Sequence, residues 1–160
     1  MAYTASMDPE PQETRQFVER FALVLSDMGL QRMAARVLAL FVCSDADSLT
    51  GPDIAERLSV SPAAVSGAIS LLGQSGLVER VAVPGSRRDH YRLAGDTWTG
   101  AGAGTRERFD AFAALAADGL AAVPAGGPAA ARLAEMHAFY AFLAAEMPAL
   151  LDRWRARRTG

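Results

Sequence analysis

Apolar residues in the first third of the chain recur at helical spacing. Phe17, Phe21, Val24 and Met28 step by 4, 3 and 4. That spacing predicts a helix from Gln12 to Met28 with one apolar side, closed by Gly29. A second helix is expected over Gln31–Val42, with Met33, Val37, Leu38, Leu40 and Phe41 apolar, followed by a polar loop from Ser44 to Ser48. Leu49 starts a short extended segment. Thr50 or Gly51 then caps a short helix with Pro52 in its first turn and Ile54, Ala55 and Leu58 inward. After the turn Ser59-Val60-Ser61, Ser61 is an N-cap and Pro62 a first helical residue, where a missing N–H costs nothing. This helix runs to about Gln74 and stops at Ser75-Gly76. Leu77–Val83 then reads as a strand, Pro84-Gly85-Ser86 as a turn, and His90–Leu93 as the returning strand with Tyr91 and Leu93 on one face.

Beyond the hairpin the pattern is helical again. One section is expected from Asp96 to Val123, its start weakened by Gly100, Gly102 and Gly104. Pro124–Pro128 breaks the chain, and a last helix runs from Ala129 to Arg157 with Pro148 as a point of kinking or restart. Along it Leu133, Met136, Tyr140, Leu143, Met147, Leu150 and Trp154 step by 3 and 4 alternately, a heptad seam. The fold class is therefore mainly α with a small β-hairpin (α+β). It is read as a winged helix-turn-helix with N- and C-terminal dimerisation helices. Residues 1–11 form an arm, 12–43 the supporting helices, 44–95 the winged helix and 96–160 the C-terminal helical region.

The seam is long for a chain of 160 residues. Together with Phe17, Phe21 and Val24 it is read as a homodimer surface, against the alternative that the first and last helices pack within one chain.

Composition narrows the class. The chain is 51% hydrophobic and 21% charged, which suits a globular protein. No apolar run is long enough for a membrane span, and the polar start lacks a leader-like core, so a cytoplasmic protein is expected. The single cysteine, Cys43, excludes an intrachain disulfide and a cysteine-cluster zinc site. It reads as a structural thiol rather than a redox sensor. His90 and His137 lie far apart without ligand-like neighbours, so no metal is expected. Gly100–Gly104 lacks the following Lys-Ser/Thr of a phosphate loop, and no cofactor is expected. Catalysis has no residue set to carry it.

Net charge is −2, yet its distribution matters more. All sixteen basic residues are arginine. Between Arg80 and Arg92 stand Arg80, Arg87, Arg88 and Arg92 against Asp89 alone, a local excess of +3. On the helix from Ser61, the stripe Val65, Ile69 and Leu72 faces inward. The other face holds Ser61, Pro62, Ala63, Ala64, Ser66, Gly67, Ser70 and Gln74, with no long charged side chain. Such a face suits close approach to a DNA groove, where hydroxyls meet bases or phosphate. It equally suits packing on another helix. The arginine turn of Ser86, Arg87 and Arg88 beside it favours double-stranded DNA as the partner. The arginines near the C-terminus, Arg153 to Arg158, read as a solvated helix end that complements the helix dipole.

The stretches Ile54-Ala55-Glu56-Arg57-Leu58, Val60-Ser61-Pro62-Ala63-Ala64-Val65-Ser66, Gly76-Leu77-Val78-Glu79-Arg80 and Gly85 to Leu93 resemble the winged helix of the MarR family. The likeness is nearest its GbsR-like actinobacterial branch, which includes repressors of lipid- and drug-exporting membrane pumps. The resemblance implies a homodimeric repressor released by a small ligand, with Ser61–Gln74 as recognition helix and Arg87 and Arg88 as wing arginines. Ser86 stands where such wings commonly have an acid. A hydrophobic or lipid-like effector is implied, for which Phe17, Phe21, Met28, Met33, Phe109, Phe112 and Met136 are candidate lining residues. Ordinary core packing explains these residues equally well. Two other readings stay open: a winged-helix adaptor for proteins, and a helical ligand-binding protein that never meets DNA.

Overall fold

The computed structural model describes residues 11–95, 97–100 and 105–158. The expected mobile arm and an Asp96 cap lie outside the described residues. The chain divides into two compact units, Met1–Thr97 and Trp98–Gly160.

The first unit contains α1 (Gln12–Asp27), α2 (Arg32–Cys43), β1 (Leu49–Thr50), α3 (Gly51–Leu58), α4 (Pro62–Gln74), β2 (Val78–Val81) and β3 (His90–Leu93). The cap chemistry written in the sequence sets the helix starts. Gln31 accepts from the Ala34 N–H, and Ser61 accepts from the Ala64 N–H with Pro62 in the first turn. Thr50 resolves the choice left open for α3. Its hydroxyl accepts from the Asp53 N–H while the Asp53 carboxylate accepts from the Thr50 N–H, a reciprocal capping box.

Burial raises the Asp53 carboxyl pKa. The hydrogen bonds from Thr50 and the charges of Arg57 and Arg88 outweigh it and hold the group below the usual carboxylate range. A depressed folded-state pKa contributes stability above the unfolded value, about 3.9, and loses it as pH falls through the folded value. Asp53→Asn is therefore expected to lower stability by about 0.5–2 kcal/mol at neutral pH. That gap should shrink on acidification below about pH 4. Urea melts at pH 7 and pH 3 measure it, and a gap that stays constant or widens with acid would refute the assignment.

Ser59 ends α3 in the left-handed conformation at φ 53°, and its N–H returns to helix carbonyls. This tight turn aims α4 away from α3. The strands form an antiparallel sheet in the order β1-β3-β2, with Val78 opposite Leu93 and Val81 opposite His90. β2 is shorter than expected, ending at Val81 rather than Val83. The Val83 carbonyl instead accepts from the Ser86 N–H and closes the turn, in which Gly85 takes φ +82°.

The core of this unit is the inner side of α2 (Ala34, Val37, Leu38, Phe41) against Ile54 and Leu58 of α3 and Val65, Ala68 and Leu72 of α4. Two expectations change here. The inner stripe of α4 is Val65-Ala68-Leu72, with Ile69 only half-buried. On α1 the buried residues are Val18 and Ala22, with Phe21 and Leu25 against the core. Phe17, Val24 and Met28 point outward at 48%, 56% and 80% exposure. Periodicity had found an apolar stripe, but small residues beside it let α1 approach α2 on the neighbouring face.

Arg36 ties three helices together. Its guanidinium contacts the Glu19 carboxylate of α1 at 2.6 Å and donates to the Leu58 carbonyl of α3 at 3.1 Å. This satisfies a carbonyl at the C-terminal end of α3, where helix carbonyls lack internal partners.

The second unit contains α6 (Thr105–Ala122) and α7 (Pro128–Arg158), preceded by the short α5 (Thr97–Gly100) that begins at the boundary. Two helices are described within the section expected over Asp96–Val123, and Gly102 and Gly104 lie outside the described residues. Pro148 lies inside α7 without ending it. The seam of α7 is used first within the chain. The Leu133 side chain fills the space where a Cβ on Gly119 would stand, 3.1 Å away, so a glycine allows close helix approach here. Tyr140 stacks on Phe112 at 4.7 Å between ring centroids and also lies near Phe109 and Phe139. Leu150 and Trp154 remain exposed, as do Phe139 and Phe142 on other sides.

Candidate nucleic-acid interface

The face of α4 opposite its buried stripe is open. Ser61, Pro62, Ala63, Ser66, Gly67, Ser70 and Gln74 are exposed, and Ala64 is half-buried. No described element packs over this face. Gln74 donates to Ser70 one turn back, which leaves hydroxyl and amide groups directed at solvent. Gly67 is notable because a Cβ there would meet nothing within 4 Å. The fold therefore does not need a glycine. Gly67→Ala is expected to raise stability by about 0.5–1 kcal/mol through helix propensity. If the face meets a groove closely, the same methyl weakens binding several-fold. Thermal melts and fluorescence anisotropy should move in opposite directions, and a parallel change would refute the close approach.

The wing stands beside this helix. Pro62, Ser66, Ile69 and Ser70 of α4 face Arg88, Asp89 and Tyr91 of the hairpin across a groove of about 470 Å³. The four hairpin arginines split into two pairs. Arg80 contacts Asp89 at 3.3 Å, and Arg92 contacts Glu79, its cross-strand partner, at 2.7 Å. Glu79 lies just before Arg80, so it offsets part of the local positive excess and holds Arg92. Both pairs are exposed and of the kind that contributes little to stability. Arg87 and Arg88 are exposed, and no carboxylate among the described residues lies within ion-pair distance of either. Asp89, the neighbouring acid, is turned to Arg80.

Ser86 shapes the tip. Its hydroxyl accepts from the Arg88 N–H at 3.2 Å and lies 2.8 Å from His90 Nε2. His90 Nδ1 in turn lies 3.2 Å from the Ser48 hydroxyl. No local signal in the sequence links His90 to Ser48, 42 positions earlier. Thr50-x-x-Asp53, by contrast, was a legible capping signature.

The candidate effector residues fall into two groups. Phe17 and Phe21 lie 6.0 Å apart on α1, with Met28 exposed and Met33 half-buried against the first core. Phe109, Phe112 and Met136 belong to the α6–α7 unit, the two phenylalanines against Tyr140. No group of three or more His, Cys, Asp or Glu side chains able to hold a metal occurs among the described residues. No described helix is long and apolar enough to cross a membrane.

A sequence profile of the MarR family matches residues 28–89, and one described as MmpR5-like MarR family transcriptional regulator matches residues 96–157. The HTH-type transcriptional regulator MmpR5 of Mycobacterium tuberculosis is 32% identical over 158 residues, covering 96% of this chain and 93% of the relative. This chain belongs to the MarR family. Its members are transcriptional regulators, not enzymes. A crystal structure of a transcriptional regulator superposes with a TM-score of 0.78 at 26% identity, covering 90% of this chain and 99% of that one. The expected winged-helix fold is thereby shown for this MarR-family chain. Both profiles carry the MarR name, the C-terminal one in its MmpR5-like form, and neither names the GbsR branch.

Proposed function

We propose that the chain is a homodimeric, ligand-responsive repressor that binds a pseudo-palindromic duplex DNA operator and controls a membrane export system. The observation that carries this reading is an open α4 face without charged side chains that shares a groove with Arg88, next to a second exposed arginine, Arg87, at the wing tip. The contacts proposed on α4 are Ser61, Pro62, Ala63, Ala64, Ser66, Gly67, Ser70 and Gln74. Those from the hairpin are Arg80, Ser86, Arg87, Arg88 and Arg92. The small α4 residues let the backbone approach base edges, while the arginines neutralise phosphates and fix register.

Exposed apolar side chains support the dimer. Phe17, Val24 and Met28 on α1 and Leu150 and Trp154 on α7 lie open to solvent in one copy. A second copy would cover them, with Phe21, Leu133, Met136, Tyr140, Leu143 and Met147 as their half-buried flanks. The same apolar and aromatic character favours a hydrophobic or lipid-like effector, which would shift the population between dimer geometries that do and do not span two half-sites. Export control rests on the resemblance of the winged-helix stretches to the GbsR-like branch.

The test is a titration of the purified protein against DNA from immediately upstream of its own gene. Saturable retardation that survives excess non-specific DNA is the expected result. No retardation even at low salt would refute the reading.

A further inference from the structure

We propose that His90 is a positioning residue for the wing. Its imidazole bridges Ser48 to Ser86, and Ser86 holds the Arg88 backbone, so the arginine tip is ordered before any DNA arrives. This rests on the reading of the wing as a DNA contact.

The geometry is a continuous chain of polar groups. Ser48 lies just before β1 on the body of the domain, its hydroxyl 3.2 Å from His90 Nδ1. His90 is the first residue of β3 and is paired on both sides, with Thr50 on β1 and Val81 on β2. It is thus fixed by the sheet. Its Nε2 reaches 2.8 Å outward to Ser86 Oγ, and that oxygen accepts the Arg88 N–H at 3.2 Å. Both ring partners are hydroxyls, which donate or accept as the tautomer requires, so the chain is satisfied in either tautomer.

The tip needs such a brace. Sheet pairing ends at Val81 and His90, and Pro84 to Asp89 are all exposed. The described bonds that order the tip are Ser86 N–H to the Val83 carbonyl, the two bonds at Ser86 Oγ and the exposed Arg80–Asp89 pair. Long arginine side chains on a loose loop would have to be ordered on binding, and that entropy subtracts from affinity. Pinning the Arg88 backbone through Ser86 and His90 removes part of that cost in advance.

The experiment compares the full chain with Ser86→Ala, His90→Phe, the double variant and His90→Gln, whose amide nitrogen can reach Ser86 as Nε2 does. Backbone 15N relaxation of the free protein reads the order of Arg87 and Arg88. Anisotropy with the upstream DNA reads affinity. Ser86→Ala and His90→Phe are each expected to drop the tip's order parameters below about 0.6, with His90→Gln restoring them. Each is expected to weaken DNA binding about five- to tenfold. The double variant should be no worse than Ser86→Ala alone, and His90→Phe should not matter once Arg87 and Arg88 are alanine. Unchanged order parameters, multiplying losses in the double variant, or an equal loss without the two arginines would overturn the proposal. If the unaltered chain binds no DNA, the functional reading fails by itself, and the relaxation data still decide whether His90 holds the wing.

Discussion

Replacing Arg87 and Arg88 with alanine is expected to weaken DNA binding by about ten- to a hundredfold per wing, from the usual contribution of a hydrogen bond to a charged group. It should also flatten the salt dependence by about one to two phosphate equivalents per wing, since each neutralised phosphate contributes about 0.9 to the slope. The loss should fall almost equally on specific and non-specific DNA if these residues touch phosphate, and mainly on specific DNA if they read base edges. The fold should barely notice. Both side chains are exposed with no carboxylate in ion-pair contact among the described residues, so the melting temperature should fall only by the small share that the Arg88 charge adds at Asp53. Arg80 and Arg92 provide the internal comparison. Each is already engaged, with Asp89 and Glu79 respectively. Its transfer to a phosphate gives up an existing pair, and alanine there should cost less affinity than at Arg87 or Arg88. Anisotropy titrations at several salt concentrations check both parts. Affinity and salt slope that do not change would remove the wing from the DNA contact.

The second large effect lies on the other side of the recognition helix. Leu72 is fully buried at 0% exposure, in the core shared by α2, α3 and α4. Leu72→Ala is expected to destabilise the fold by about 2–5 kcal/mol, the sum of lost burial and the cavity left behind. Against a total of about 5–15 kcal/mol this is a large fraction. Ser70→Ala, two residues away on the exposed face, should stay within about 0.5 kcal/mol. Urea melts at fixed protein concentration, so that self-association does not shift the midpoint, would show the contrast. A loss under 1 kcal/mol at Leu72 would mean that α4 is not seated as described. The two substitutions separate the halves of one helix: the inner side holds the domain together, and the outer side is left free to bind.

Much of this was legible in the chain itself, because it is local. Ser61-Pro62 sets the start of α4, Thr50-x-x-Asp53 the start of α3, and Gly85 the wing turn, each through groups within four residues of one another. The 3–4 spacing of apolar residues gives the helices, and the arginines at 87 and 88 mark the tip. The likeness to the MarR winged helix is likewise a property of contiguous stretches.

What the sequence could not decide is which of two apolar faces turns inward, and which polar groups meet across long separations. On α1 the large residues Phe17, Val24 and Met28 make the stronger stripe, yet Val18 and Ala22 are the ones buried, because packing distance between helices favours the smaller side chains. On α7 the heptad seam suits either a second copy or the first helix of the same chain. The tertiary structure has α6 take its first half, through Gly119 against Leu133 and the rings around Tyr140, leaving Leu150 and Trp154 open. Arg36 meets Glu19 and Leu58, and His90 meets Ser48, over separations of 17 to 42 residues with no local signature at all. Local propensity and capping determined where each element begins and ends. Long-range packing alone decided which side chains were left over to hold the wing and to meet another molecule.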